Sequence, residues 1–457
     1  MHSKKHLKFK ALIESVKKEF NKIKDTRGKN KSNSISDVML SGIACMYFQC
    51  PSLLDFQRRM EVNGHKNNLR SMFSVGDIPT DTGMRTIIDE VDTEVAFRGI
   101  FKEFYQRLQR GKHLEEYQTL PGKYLLNIDG TQYFQSSKIK CKKCLERGKK
   151  GKEYNCHQVL QAAIVKAGLK QVIPVMPEEI CAQDGDNKED CEINAFKRFI
   201  DKFVKDHNKL GIIVNGDALY ASMPVIKKIQ EHNANYIFKV KPGSHKTLMK
   251  NVAKNVKERV IVKSLRGNEL IIECVNNVTL FSGYEEKVNY IEAWEVVPQK
   301  DGSTKSQYYG KWITDIEITK NNAKIILDAA RARWKIENEC FNTLKNHGYE
   351  IEHNYGHGEK NLSFNFYSFT LLAFFMHQIH QLTDNVFKKV RSLYGRATSF
   401  WGDLRTYMNK FYWEGLEELW VWLIETHGGP PIRLISSENY PKFIFHIYAP
   451  KVFFIFS

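Results

Sequence analysis

The chain has 457 residues, with 69 Lys and Arg against 52 Asp and Glu and a formal net charge of +17. That length accommodates two or three domains and a substantial core, and the basic excess points to a polyanionic partner, nucleic acid before an acidic membrane surface. A membrane anchor and a disulfide scaffold are not expected. The apolar run Phe364–Phe375 is too short and too polar at its start to span a bilayer. The nine cysteines are unevenly spaced, and the basic start MHSKKHLKFK is followed by charged sequence rather than an apolar leader. Cytoplasmic residence is the expectation.

Residues 1–112 read as a helical, DNA-binding domain. Ser34–Cys50 opens with N-cap residues and continues with a helical apolar pattern, and Thr80 or Asp81 can cap the helix Met84–Val91. Lys4, Lys5, Lys8, Lys10, Lys17 and Lys18 offer a face for phosphates, or a solvated basic face.

Residues 113–245 change texture. The strand Tyr124–Ile128 ends in Asp129-Gly130, and Val159–Lys166 and Gln171–Met176 are further strands. Glu192–Asp206 is a helix. Leu210–Val214 is a strand ending in Asn215-Gly216-Asp217, and Tyr236–Val240 closes the unit. Strands alternating with helices, with acids just past strand ends, mark an α/β domain with a site at one sheet edge. Residues 246–318 read as a β-rich insertion with strands Arg259–Ser264, Glu269–Val275, Val278–Ser282, Tyr290–Val297 and Tyr308–Thr314. Residues 319–385 resume the α/β domain with a long helix and the apolar helix Leu362–Thr383. Residues 386–457 form a C-terminal helical region and the apolar, β-prone tail Phe443–Ser457.

The sharpest chemistry lies in Arg331–Lys345 (RARWKIENECFNTLK). At about 100° per residue, Trp334, Ile336, Cys340, Phe341 and Leu344 form one apolar arc. Arg333 and Glu337 fall within it, and Lys335, Asn338, Glu339, Asn342 and Asn346 lie opposite. A carboxylate on a buried face needs a partner. Arg333, one turn back, is one; a divalent cation shared with other carboxylates is the other. Asp129, Asp217 and Glu337 together offer oxygen ligands for two ions such as Mg²⁺, which activate water and stabilise the leaving oxygen of a phosphodiester. Glu339 competes as third acid but faces the polar side.

The order IDGT, VNGDALYA, RWKIENECFNTLK is similar to the DDE transposases of bacterial insertion sequences, especially those whose last acid lies in a Tyr-x₂-Arg-x₃-Glu-x₆-Lys motif. The resemblance spans most of residues 120–380. It implies a ribonuclease H-like core with a β-insertion. It further implies a metal triad of Asp129, Asp217 and Glu337 holding two Mg²⁺ ions (Mn²⁺ can substitute), and Arg333 and Lys345 as contacts to DNA phosphates. Two positions depart from the motif: Ala330 stands where the tyrosine belongs, and Leu344 precedes Lys345 where the basic residue is due. The implied activity is cleavage at transposon ends and strand transfer into target DNA, by a homodimer on double-stranded DNA. In some relatives an insertion tryptophan holds a flipped base, for which Trp294 and Trp312 are the candidates. The rival is a domesticated DNA-binding protein that keeps the fold without cleaving.

A second metal-like signal is Cys141-Lys-Lys-Cys144, which has the spacing of half a zinc site. Cys156 and His157 are adjacent and awkward as joint ligands, so a four-ligand set is not evident. Lys138, Lys140, Lys142, Lys143, Arg147, Lys149, Lys150 and Lys152 crowd the same loop, as a DNA-backbone contact or a solvated segment. His353 and His357 follow the main helix in a Gly-rich turn. No Gly-rich phosphate loop follows a strand, which disfavours a nucleotide-binding enzyme.

Overall fold

The computed structural model describes residues 2–28, 31–61, 67–182, 188–264 and 266–427; the tail Phe443–Ser457 lies outside the described residues. The chain divides into two compact units. One comprises Met1–His113, Lys138–Lys142 and Asn342–Ser457, the other Leu114–Ser137 and Lys143–Phe341.

The first unit is helical. Its helices begin where side-chain oxygens satisfy otherwise unpaired amides: Ser34 accepts from Asp37 N, Thr80 from Gly83 N and Asp92 from Val95 N. The helix Leu362–Thr383 is apolar on all sides and buried along almost its whole length, as a helix must be when it forms a core rather than a surface. Phe369 packs against Phe97 with ring centroids 4.9 Å apart, and Phe375 stacks on Phe101 at 5.8 Å. Gly42, on the helix Ile35–Tyr47, leaves the space that the Phe369 ring fills; a Cβ there would stand 2.8 Å from it. Asp89 Oδ1 accepts from the amides of Lys360, Asn361 and Leu362, tying the start of the core helix to the helix Asp81–Glu90. Lys8, expected among phosphate-facing lysines, is instead bound to Asp384 at 2.9 Å and Glu417 at 3.2 Å.

The second unit is a mixed α/β body built on a twelve-stranded, mostly antiparallel sheet. Its strands are β1 (Gln118–Leu120), β2 (Lys123–Ser136), β3 (Leu145–Arg147), β4 (Tyr154–Val165), β5 (Ile173–Pro174), β6 (Glu178–Ile180), β7 (Gly211–Gly216), β8 (Asn235–Lys239), β9 (Glu258–Lys263), β10 (Glu269–Thr279), β11 (Lys287–Pro298) and β12 (Thr304–Thr314). The main path runs β3-β4-β2-β7-β8-β12-β11-β10-β9. The pairs β2–β7 and β7–β8 are parallel, and every other pair on that path is antiparallel.

Two local expectations change. The strand expected to stop at Ile128 runs on to Ser136, because the β-prone stretch Thr131–Phe134 keeps pairing with β4. Asp129 is therefore within a strand, not at its end. The runs expected as Glu269–Val275 and Val278–Ser282 are largely one strand, β10, with a bulge between Val275 and Val278 and Asn277 at φ +60°. The helix Lys246–Lys254 precedes β9, and β12 pairs with β8 through Ile313 opposite Phe238. Strands β9–β12 thus extend the same sheet. Among the described residues no helix is long and apolar enough to cross a membrane.

Candidate active site

The site begins with two asparagines. Asn127 on β2 and Asn215 on β7 are register partners and fully buried, and Asn215 Nδ2 donates to Asn127 Oδ1 at 3.0 Å. The same amides reach outwards: Asn127 Nδ2 donates to Ala332 O at 2.7 Å and Arg333 O at 3.1 Å, and Asn215 Nδ2 donates to Ala329 O at 2.9 Å. Both side chains thereby hold the carbonyl ends of one helical segment against two strands. Asp129 and Asp217 each stand two residues further along, so on β2 Asn127 and Asp129 share a face.

That helical segment is not one α-helix. Ala323–Arg331 is α-helical, Ala332–Trp334 is 3₁₀, Ile336–Phe341 is a π-helix and Asn342–Asn346 is α-helical again. The changing pitch breaks the 100° projection, and the burial differs from the projected arc accordingly. Trp334 is 45% exposed and Lys335 buried, the reverse of the expectation. Glu337 is half exposed, not buried; its carboxylate opens to solvent. Arg333, 17% exposed, still makes the expected pair, with Nη1 2.7 Å from Glu337 Oε1, and it also approaches Asp129 Oδ2 at 3.8 Å. One guanidinium stands between two of the three predicted acids. Glu339 turns elsewhere, 3.8 Å from the Lys335 ammonium.

Asp217 closes an Asx turn after β7, its Oδ1 accepting from Leu219 N at 2.8 Å. Burial raises the Asp129 carboxyl to about 7; Glu192 adds repulsion, Arg333 opposes the rise, and Asp217 and Glu337 add to it. Asp217 and Glu337 are thus both near enough to act on Asp129. A carboxyl crowded by like charge suits a hard divalent cation. Sequence reasoning missed Glu192, on the helix Lys188–Asp206. It is 7% exposed, and its Oε1 accepts from the Tyr220 hydroxyl at 2.7 Å. It also missed Asn127 and Asn215, although the repeated Asn-x-Asp of NID and NGD was available as a signal.

Lys345 lies in the first unit and pairs with Glu352 at 2.7 Å. Lys143, one of the loop lysines, is engaged with Glu179 at 3.1 Å. Trp312 is buried, its ring filling the space beside Gly310, and Trp294 is half-buried. Cys141, in the first unit, hydrogen-bonds His357; burial alone would lower that imidazole, and the contact with Cys141 holds it above its ordinary value. Cys144, in the second, has its Sγ 3.5 Å from His157 Nε2. Alternation along β4 separates the adjacent Cys156 and His157 to opposite faces, which removes the awkwardness of that pair. Each unit thus carries one cysteine–histidine pair, Cys141 with His357 in the first and Cys144 with His157 in the second.

Buried amides brace the strands that carry Asp129 and lead to Asp217 against the helical segment on which Glu337 stands beside Arg333. The family model "Transposase DDE domain" matches residues 132–375, and the chain belongs to that family of DDE transposases, enzymes that act on DNA. Asp217 and Glu337 lie within the matched stretch, and Asp129 three residues before it. No curated protein matches the chain.

Proposed function

We propose that the protein cleaves DNA at transposon ends and joins the freed ends to target DNA, with Asp129, Asp217 and Glu337 as the acids of the centre. The observation that carries this reading is the Arg333 guanidinium set 2.7 Å from Glu337 and 3.8 Å from Asp129, in a chain of the DDE family. Family membership supports a divalent-metal centre, and the all-oxygen donor set favours two Mg²⁺ ions, for which Mn²⁺ can substitute. When bound, such ions supply Lewis acidity to the phosphodiester. Asp129, Asp217 and Glu337 would hold them. Asn127 and Asn215 keep the Glu337 segment on the strands. Arg333 neutralises the acids while the site is empty of DNA and turns to a backbone phosphate when DNA enters. Water and then the 3′-hydroxyl act as nucleophiles, so no side chain becomes covalently attached.

The finer assignments follow the same reading. Parallel β2–β7–β8 with antiparallel β4 beside β2 supports a ribonuclease H-like core in residues 113–245 and 319–385, with 246–318 as its insertion. Residues 1–112 are the DNA-binding domain, and 386–457 are the C-terminal region, helical in its described part and carrying the apolar tail. The motif around Glu337 favours a bacterial insertion-sequence enzyme of the Tyr-Arg-Glu-Lys group, acting in the cytoplasm on the nucleoid as a homodimer on paired ends. Lys345 is its second phosphate contact. The Cys-x-x-Cys spacing of Cys141 and Cys144 supports one structural Zn²⁺.

The test is cleavage of linear DNA carrying the element's terminal inverted repeats, in Mg²⁺. The expected products end in 3′-hydroxyls at the repeat boundary. Binding to the repeats with no cleavage in either Mg²⁺ or Mn²⁺ would leave the non-catalytic rival.

A further inference from the structure

Glu192 is a carboxylate for which the triad has no use, yet it is built into the centre. It is 7% exposed, on a helix of 19 residues that otherwise covers the sheet. Burying a carboxylate with so little water around it is unfavourable unless something charged or hydrogen-bonding meets it. One partner is the Tyr220 hydroxyl, itself fully buried, which donates to Oε1 at 2.7 Å. Tyr220 lies three residues after Asp217, so this bond ties the turn carrying Asp217 to the helix carrying Glu192. The other carboxylate oxygen occupies the space over Gly130, where a Cβ would collide with it. Gly130 directly follows Asp129. A glycine in the middle of a fourteen-residue strand weakens it, and here the missing side chain leaves room for the Glu192 carboxylate.

We propose that Glu192 is a fourth acidic residue of the metal centre, held by Tyr220 and seated over Gly130 so that it shares a divalent cation with Asp129. This rests on the reading of Asp129 as a metal ligand, and the test separates the two. Mn²⁺ is titrated into the full-length protein without DNA, with binding followed by electron paramagnetic resonance of the free ion, for the wild type, Glu192→Gln and Asp129→Asn. Glutamine keeps the acceptor for Tyr220 but removes the charge. The expected result is affinity about tenfold or more weaker for both variants, with Glu192→Gln retaining the wild-type circular dichroism. Wild-type affinity in Glu192→Gln with loss in Asp129→Asn would overturn the role of Glu192 and leave the centre standing. Loss in Glu192→Gln with none in Asp129→Asn would overturn the sharing. Wild-type affinity in both would remove the centre, and this inference with it. If Glu192→Gln does not fold, Tyr220→Phe carries the test: an affinity about threefold weaker is expected, and an unchanged one overturns the proposal.

Discussion

Asn215 donates its side-chain amide to the Asn127 carbonyl at 3.0 Å across two parallel strands. Each amide also bonds a carbonyl in the segment that leads to Glu337. The three acids come from separated stretches of sequence, and these amides link their supports. Replacing Asn127 by Ala strands the carbonyls of Ala332 and Arg333 in the interior, at a cost of about 1–3 kcal/mol. Urea unfolding at equilibrium is expected to show that loss, and plasmid nicking by the folded Asn127→Ala protein is expected to fall further than its stability does. Nicking at the wild-type rate would mean that the amide pair braces the fold without positioning the acids.

Asp129 makes stability depend on pH in an unusual direction. Its folded carboxyl is raised to about 7 from an ordinary 3.8, by burial first and by Glu192 next. A carboxyl raised on folding disfavours the folded state once it ionises, so its contribution is harmless below pH 4 and worsens up to pH 7. The metal-free protein should therefore lose on the order of 2–4 kcal/mol from this group across that window. In chelator, Asp129→Asn is expected to melt higher than the wild type at pH 8 and no higher at pH 4. Added Mg²⁺ is expected to raise the melting temperature of the wild type at pH 8 and not that of the variant.

Arg333 is predicted to serve both states of the site. Arg333→Ala should weaken binding to end DNA by roughly tenfold and reduce the salt dependence of binding by about one ion. Arg333→Lys should recover part of the affinity but not the fork geometry that spans Glu337 and a phosphate. Filter binding between 50 and 200 mM salt measures both. Parallel salt slopes for wild type and Arg333→Ala would show that Arg333 does not reach a phosphate.

Asp89 provides a prediction for the helical unit. Burial works against its charge, but the amides of Glu359, Leu362, Lys360 and Asn361 hold the carboxyl below its ordinary value. Because this pKa is depressed on folding, the stabilisation is present above pH 4 and is lost as pH falls through the folded value. Asp89→Ala is expected to destabilise by about 1–2 kcal/mol at pH 7, with the gap to the wild type narrowing at acid pH in thermal melts.

Much of this architecture was legible because local pattern and environment agree. The helix Leu362–Thr383 was readable at both ends, since an all-round apolar run bounded by Asn361 and Asp384 admits one interpretation. The three acids and Arg333 stood out by type and spacing. Their surroundings did not, because a projection at one fixed angle cannot follow a chain that passes from 3₁₀ to π pitch within ten residues. That error buried Glu337 and Trp334 on paper while exposing Lys335. Glu192 was invisible for another reason: an acid near the start of an amphipathic helix reads as a solvated or capping residue. Only the glycine at position 130 and the tyrosine at 220, brought to it by the sheet, reveal its place.

Plasmid nicking decides whether Asp129, Asp217 and Glu337 form one metal-dependent cutting centre. Supercoiled DNA is incubated with Mg²⁺ and the wild type, Asp129→Asn, Asp217→Asn or Glu337→Gln, each matched for folding and DNA affinity. Nicking is expected from the wild type and none above background from any variant, in Mg²⁺ or Mn²⁺. Nicking that persists in Asp217→Asn would contradict it.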